Sequence, residues 1–379
     1  MRVLIIGAGI LGASAAYHLA RLGAQVEIID QNHPGKATLA GAGVVCPWAT
    51  EADDPDWYLL YARGARYYGT LIEELRGQGE TELGYSRVGA LVLAEDRARL
   101  DTIEGRISRR IKDAPEAGTV RRLGAGEAKR LFPPLRDDLE AIHIPGGARV
   151  DGRLLAASML RVAISSGATL RNDYVSLRLN DGRAECLGSD GRPIPADEII
   201  VTAGAWAAQI LALLGLRHPV VPQKGQIIHL HLPGVATSGW PVVLPMNSYY
   251  MLAFDDSRVV VGATREDGSG FDYRVTARGQ LEVLQAGLGI APGLADATHI
   301  ETRVGFRPAG SAMRPILGRV PQIAGLTIGN GLGASGLTVG PFAGHLLAGV
   351  VMGEPAEVPL ERYSPTGPEA GLEHHHHHH

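Results

Sequence analysis

The sequence predicts an α/β fold in which a parallel-sheet lobe, assembled from separated pieces of chain, is interleaved with a strand-rich α+β lobe. Three observations predict it. A strand, Val3-Leu4-Ile5-Ile6, runs straight into the glycine-rich turn Gly7-Ala8-Gly9-Ile10-Leu11-Gly12, a helix and a second strand that ends in Asp30. Far along the chain, Ile199-Ile200-Val201-Thr202 reads as another buried strand, ending on the small residues Ala203-Gly204. Between Val220 and Val261 the pattern changes to strand-rich alternation, clearest in Ile227 to Leu232.

The first of these is a nucleotide-binding fingerprint in its proper context, a Rossmann-like βαβ unit. Gly7 allows the tight turn out of the strand, and Gly9 lets the backbone approach a pyrophosphate at a helix N-terminus. Gly12 lets the helix pack close on the sheet, and Asp30 is placed to accept hydrogen bonds from ribose hydroxyls. An acid there repels a 2′-phosphate, which disfavours NADP. A Gly-x-Gly-x-x-Gly alone is weak evidence; the flanking strand, the apolar helix (Leu11 to Leu22) and the acid make it specific.

Bulk composition excludes several classes. With 379 residues the chain can bury a large core in two lobes. Net charge is −4, with Arg and Asp/Glu interspersed, so no nucleic-acid surface is expected. Two cysteines, Cys46 and Cys186, offer neither a disulfide framework nor metal spacing, and a reducing, cytoplasmic setting follows. Residues 372–379 read as a vector scar and purification tag, which removes six of the fourteen histidines from consideration. No signal peptide is expected before the first strand. The apolar run Leu337 to Met352 reads as a buried helix and not a transmembrane segment, because His345 and several glycines interrupt it.

The remaining elements follow in order. Trp57 to Leu75 shows helical spacing of apolar and aromatic residues. Ala90 to Leu93 is strand-like, a charged helix covers about Asp96 to Lys112, and Leu123 to Pro134 holds a short helix. Asp151 opens a helix from Arg153 to Ser165, capped by Gly167. Strands Ala168–Arg171 and Tyr174–Leu179 lead to the hairpin signal Asn180-Asp181-Gly182. A helix from Trp206 to Leu214, the β-rich stretch and a helix from Thr276 to Leu288 precede the closing section, Arg303 to Met352. Residues 1–46, 151–215 and 302–360 are therefore assigned to the nucleotide-binding lobe, and 47–150 and 216–301 to a substrate-binding lobe.

The fingerprint does not separate NAD from FAD; three later features favour FAD. Lys36-Ala37-Thr38 and Gly41-Ala42-Gly43 supply small residues and backbone donors soon after Asp30. The strand at 200–204 ends in residues small enough to pass under a bulky cofactor. The glycine-rich Gly329 to Gly336 precedes the last helix, whose positive dipole end would face the flavin's pyrimidine edge and stabilise the charge of the reduced form.

At this point the chain resembles the D-amino acid oxidase-like FAD oxidoreductases, the superfamily of glycine oxidase, sarcosine oxidase and D-amino acid dehydrogenase, whose cofactor domain is of the GR2 type. The matching stretches are the Gly7 to Gly12 turn with Asp30, Thr202 to Trp206, Pro222 to Gln226 and Arg258 to Thr264. The most specific are Gly305-Phe306-Arg307-Pro308 and Arg314-Pro315-Ile316-Leu317-Gly318. The resemblance implies noncovalent FAD held by Gly7, Gly9, Ile10, Leu11, Gly12, Asp30, Gln31, Lys36, Ala37, Thr38, Ala42, Gly43, Val175, Thr202, Ala203, Gly204 and Trp206. Arg307, Gly331, Gly333, Ala334, Ser335, Gly336 and Leu337 complete the implied set.

It also implies the chemistry. Arg307 would clamp the substrate carboxylate with its rigid fork, Tyr250 would add a second contact, and Ser248 lies near a polar position of glycine oxidase. Tyr249 would face the other side of the strand. Hydride passes from the substrate Cα–H to flavin N5, and the resulting imine hydrolyses to a keto acid. Holding Cα about 3–3.5 Å from N5 is then the main demand on the protein. Electrons would go to oxygen or to a quinone or carrier.

The chain departs from the pattern in places. Ala334 stands where glycine oxidase has a second arginine, and Val260 near the place of sarcosine oxidase's lysine. Gly310-Ser311-Ala312-Met313 lacks the cysteine that attaches flavin covalently. An N-methyl or cyclic secondary amino acid substrate, and a noncatalytic or electron-transferring FAD-binding subunit, are the alternatives. His229 and His231 read as solvent-facing, Tyr61 and its aromatic neighbours as helix packing, and Arg109-Arg110 and Arg121-Arg122 as surface pairs.

Overall fold

The computed structural model describes residues 1–310 and 314–365. Among these residues a six-stranded sheet takes its strands in the spatial order Ile316–Arg319, Leu326–Asn330, Glu198–Val201, Arg2–Ile6, Gln25–Asp30 and Thr169–Asn172. All neighbours run parallel except Ile316–Arg319, an antiparallel edge. The first strand is apolar on both faces because both are covered. Val3 and Ile5 pack under Leu11, Leu19, Phe342 and Leu346. Leu4 and Ile6 face Ile210, Leu211 and the hairpin residues Leu177 and Cys186.

The helix Ile10–Arg21 is buried along nearly its whole length, between Gly152–Ser165 and the closing helix Gly336–Val351. Small residues allow that approach. A Cβ on Gly344 would stand 2.5 Å from that of Ser14, whose hydroxyl donates to the Pro341 carbonyl at 2.6 Å. The closing helix is long and apolar enough to cross a membrane, yet it sits mostly inside the protein as a core helix. At the hairpin, Asp181 and Gly182 both take positive φ, 54° and 77°, as the tight turn demands.

The second large sheet has eight strands, in the order Thr298–Gly310, Val220–His231, Arg258–Gly262, Tyr250–Ala253, Val242–Leu244, Ala90–Val92, Ala141–Ile144 and Arg121–Leu123. Its longest ladder pairs Val220 with Gly310 and His231 with Thr298, with a bulge between His229 and Leu230. Ala42–Val45, Ala148–Asp151 and Tyr85–Ser86 form a three-stranded sheet.

Two lobe assignments need correction. Residues 302–310, placed with the nucleotide-binding half, continue the strand Thr298–Gly310 and bond along Val220–His231 in the eight-stranded sheet. The helix Pro55–Gly77, placed with the other half, packs on the closing helix, and its Trp57 and Leu60 share a core with Val3 and Ile5. In both places local pattern identifies an element without revealing its partner. Residues 372–379 lie outside the described residues.

Candidate active site

A cavity of about 690 Å³ runs from the carboxyl end of the parallel strands to the floor of the eight-stranded sheet. At its first end Gly7 takes φ +105°, a left-handed backbone that side chains rarely adopt. Gly12 packs so tightly that a Cβ there would lie 1.9 Å from the Gly7 carbonyl oxygen. Thr202 Oγ1 donates to that same carbonyl at 2.9 Å. Gly9 differs: only Thr38 Oγ1, at 3.1 Å, comes near the place of its missing Cβ. Thr38 Oγ1 also accepts from the Ile10 amide at 3.0 Å. Gly9, Ile10 and Leu11 line the cavity, so this helix turns its positive end toward it.

Asp30, Gln31, Lys36 and Ala37 line the next stretch. Lys36 Nζ sits 2.5 Å from Asp30 Oδ2, and the Ala8 amide donates to Oδ1 at 3.4 Å. His33 stacks on Trp206 with ring centroids 4.6 Å apart, and Trp206 stacks on Phe271 at 4.9 Å. Ala203, Gly204 and Trp206 form the opposite wall. Asn330 Nδ2 donates to the Gly204 carbonyl and to His218 Nε2, both at 2.8 Å, joining this wall to the turn before the closing helix. Gly333, Ala334, Gly336 and Leu337 from that turn line the cavity together with Ala42 and Gly43. The closing helix therefore presents a second positive helix end to the same space. Tyr68, buried beneath, bonds its hydroxyl to the Leu337 carbonyl.

At the far end Arg307 and Tyr250 meet. Arg307 Nη1 donates to the Thr264 carbonyl at 3.1 Å, and among the described residues the guanidinium has no ion-pair partner. Burial lowers its pKa, the Tyr250 hydroxyl draws it back, and an arginine so placed stays charged. Burial raises the Tyr250 hydroxyl, opposed by the charges of Arg307 and Arg265, so it stays protonated and able to donate. Tyr249 also contributes to the cavity lining, but its hydroxyl is engaged elsewhere, donating to Glu282 Oε2 at 2.8 Å. Ser248 lines the cavity on the loop that enters this strand.

Several expected positions lie off the cavity. Gly12 acts through close packing, and Val175 is in the core beneath with Leu177 and Ile6. Gly331 and Ser335 shape the turn, the Ser335 hydroxyl donating to the Leu332 carbonyl at 2.5 Å. His229 is a correction. It is buried, not solvent-facing, with its Nδ1 3.2 Å from Arg258 Nη1, because the strand is covered on both faces here: its neighbours Ile228 and Leu230 are buried too. Among the described residues no group of three or more His, Cys, Asp or Glu could hold a metal. The thiol of Cys46 lines the cavity but burial pushes its pKa up to about 12.

Sequence reading missed three contributors. Arg265 and Tyr61 line the cavity beside Tyr250; the spacing of Tyr61 on its helix looks like ordinary packing. Arg110, expected at the surface, bonds the carbonyls of Trp48, Thr50 and Ala52 and holds the loop whose Ala49 to Ala52 form a wall. Its signal would have been an arginine opposite a proline-started loop, which is not specific. Ser311, Ala312 and Met313 lie outside the described residues.

A βαβ fingerprint, two helix ends aimed into one cavity and an unpaired arginine at its far end define a dinucleotide-cofactor oxidoreductase. Residues 2–350 match the model of the FAD dependent oxidoreductase family abbreviated DAO, and the chain belongs to that family. It is 50% identical over 365 residues to an uncharacterized oxidoreductase, YurR, of Bacillus subtilis, covering 96% of this chain and 98% of the relative. It is 28% identical over 356 residues to the glycine oxidase of Geobacillus kaustophilus, covering 92% of each. The crystal structure of glycine oxidase from that organism superposes with a TM-score of 0.85 at 27% identity, over 96% of this chain and 98% of that one. L-proline dehydrogenase from P. horikoshii shares the fold, with a TM-score of 0.83 at 21% identity over 96% of each chain.

The residues fit FAD. The open face of Gly9 and the first helix end suit a pyrophosphate, and Asp30 with Lys36 suits the ribose beside it. The second helix end, at Gly336 and Leu337, suits the electron-rich edge of the reduced ring.

Proposed function

We propose that this flavoprotein oxidises a small amino acid at its Cα–N bond, with Arg307 holding the carboxylate. The observation that carries this reading is a guanidinium, half-buried at the cavity end and bonded to a single carbonyl, with no acid partner among the described residues. A partly desolvated charge with one hydrogen bond keeps free donors, and an arriving carboxylate would satisfy them. Tyr250, kept protonated, adds a hydroxyl donor to the same anion.

Bound in the cavity, the flavin supplies a two-electron acceptor for the hydride that leaves the substrate's Cα. The chain's own residues position and shield. Arg307 fixes both carboxylate oxygens and so the rotation of Cα; Ile227, Leu244 and Met246 make the surrounding wall apolar and limit water. The substrate amine reacts in its neutral form, its nitrogen lone pair forming the C=N bond as the hydride departs. Water then releases a keto acid and ammonia. Cys46, the thiol on the wall, stays protonated and is not a base for the substrate amine.

The test is anaerobic bleaching of the flavin by glycine, D- and L-amino acids, sarcosine and prolines, in wild type and Arg307→Ala. Bleaching by a primary amino acid, reduced roughly 100-fold or more in kcat/KM by the substitution, supports the reading; two hydrogen bonds to a charged group are worth about that much. Bleaching by sarcosine or prolines alone would shift the substrate to a secondary amine. No bleaching by any of them, or an unaffected Arg307→Ala variant, would overturn it. Stopped-flow reoxidation with oxygen or a quinone reads the acceptor.

A further inference from the structure

The charges lining the cavity do not balance. Its two acids are both engaged: Asp30 with Lys36 at 2.5 Å and Glu51 with Arg99 at 2.7 Å. Arg307 and Arg265 remain, and neither has an ion-pair partner among the described residues. The nearby acids point elsewhere. Glu266 Oε2 accepts from Thr264 Oγ1 at 2.6 Å and Gln226 Nε2 at 3.0 Å, and Asp267 Oδ1 accepts from Gln223 Nε2 at 2.9 Å. The pyrophosphate of the cofactor belongs at Gly9 and the first helix end, so at the Tyr250 end one amino-acid carboxylate neutralises one guanidinium and the second faces only solvent.

From this imbalance we infer that Arg265 is a specificity-determining residue that binds a second anionic group on the substrate. The inference rests on the amino-acid oxidation proposed above and names the class within it: amino acids carrying another carboxylate besides the one at Cα.

Position supports the role. Arg265 is exposed at the cavity mouth, but its backbone is fixed. Lys224 and Glu266 exchange two backbone hydrogen bonds, at 3.0 and 2.9 Å, and the preceding Thr264 is 1% exposed. Its charge is felt by Tyr250, Tyr61 and Arg307, three groups that line the same chamber. Two like charges in one partly desolvated chamber repel. An anion between or beside them removes that repulsion, whereas a neutral side chain leaves it in place. Arg265 would thus act on KM more than on the hydride step, because the second anion is remote from the reacting carbon.

The experiment uses isosteric pairs on the holoenzyme: aspartate against asparagine and glutamate against glutamine, each as both enantiomers, and iminodiacetate against sarcosine. The first two pairs read an anion on the side chain, the third an anion on the nitrogen. The expected result is an acidic member favoured roughly ten-fold or more in kcat/KM through a lower KM, as a charge-assisted hydrogen bond provides. In Arg265→Gln that ratio falls toward one. A second measurement does not need turnover: perturbation of the flavin spectrum by succinate against butyrate, in wild type and Arg265→Gln. Tighter succinate binding that disappears in the variant supports the role even if no amino acid reduces the flavin, a result that would overturn only the oxidation reading. Neutral and acidic partners turned over alike, or equal succinate and butyrate binding, would overturn the role of Arg265 and leave the oxidation reading standing.

Discussion

The guanidinium of Arg307 lies flat across Gly225 of the neighbouring strand, so close that a Cβ at 225 would stand 2.8 Å from Nη2. The glycine in the Lys224-Gly225-Gln226 stretch is therefore there for the arginine and not for a turn. A methyl group at 225 meets the far end of a flexible side chain, so the fold survives while the arginine moves. Gly225→Ala is expected to keep its flavin and melt near the wild-type temperature. Its KM for a carboxylate-bearing substrate should rise roughly ten-fold, since even small misplacement of a clamp is costly. Steady-state kinetics beside a flavin absorbance ratio check this.

Gly9 and Gly12 separate in the same way, although one motif contains both. A Cβ on Gly12 would collide with the Gly7 carbonyl at 1.9 Å and with Thr202 Oγ1 at 2.6 Å, backbone and packed side chain that cannot retreat. Gly12→Ala should lower the melting temperature of the apoprotein sharply and yield little soluble flavoprotein. Gly9 faces open cavity apart from Thr38. Gly9→Ala should fold with an apoprotein melting temperature close to wild type and hold FAD at least several-fold more weakly. Apoprotein calorimetry and flavin titration distinguish the two.

A third expectation concerns Lys224, a lysine with none of its surface exposed and Nζ 3.7 Å from Asp272 Oδ2. Asp272 also binds the exposed Arg274 at 2.9 Å. The hydrogen bonds from Arg274, with Lys224 adding to them, hold the Asp272 carboxyl well below the usual range. Arg274→Gln removes an exposed partner and should change the melting temperature little. Asp272→Asn strands the buried ammonium and should lower it by several degrees. Phe271, which stacks on Trp206 over the cavity, sits next to Asp272, so flavin fluorescence should rise in that variant as the loop loosens. Equal melting temperatures for the two variants would mean that Lys224 is not held by Asp272.

Legibility in the sequence followed the range of the interaction. The first βαβ unit, the hairpin at Asp181-Gly182 and the strand before Thr202 announce themselves through residues a few positions apart, and the helix Ile10–Arg21 forms where the pattern puts it. Arg307 and Tyr250 were found through a resemblance, and they do line one cavity. What stayed hidden depends on distant partners. Residues 302–310 carry no mark that their ladder is Val220–His231, and the helix Pro55–Gly77 has one apolar face whichever lobe it covers. Arg110 looks like any charged residue late in a helix until the Trp48–Ala52 carbonyls are set opposite it. Arg265 becomes conspicuous only once the ion pairs around it are known, because an unbalanced charge is a property of the cavity and not of a motif.

Acid should weaken this protein before it titrates its carboxylates. His218 and His229 are held down to about 4 and His18 to about 3, in each case first by burial, against an ordinary value of 6.5. The folded chain keeps these rings neutral while the unfolded chain takes up protons near 6.5. Between about 6.5 and 4 the unfolded state therefore binds more protons, and stability falls as pH falls through that window; above it these groups contribute no pH dependence. Each can add a slope of up to about 1.4 kcal/mol per pH unit. His218 links this to the cofactor. Asn330 Nδ2 donates to Gly204 O and to His218 Nε2, so Nε2 must be the unprotonated nitrogen, and a proton there removes the acceptor. The Asn330 amide then loses the partner that orients it toward Gly204, which weakens the tie between that wall and the turn before the closing helix. Melting temperature and flavin retention, measured from pH 7.5 to 4.5, should decline together. His218→Gln, whose amide oxygen can accept the same Asn330 hydrogen bond at every pH, should retain flavin to lower pH than wild type. An unchanged retention curve in that variant would assign the acid sensitivity to His18 and His229, which lie away from the cavity lining.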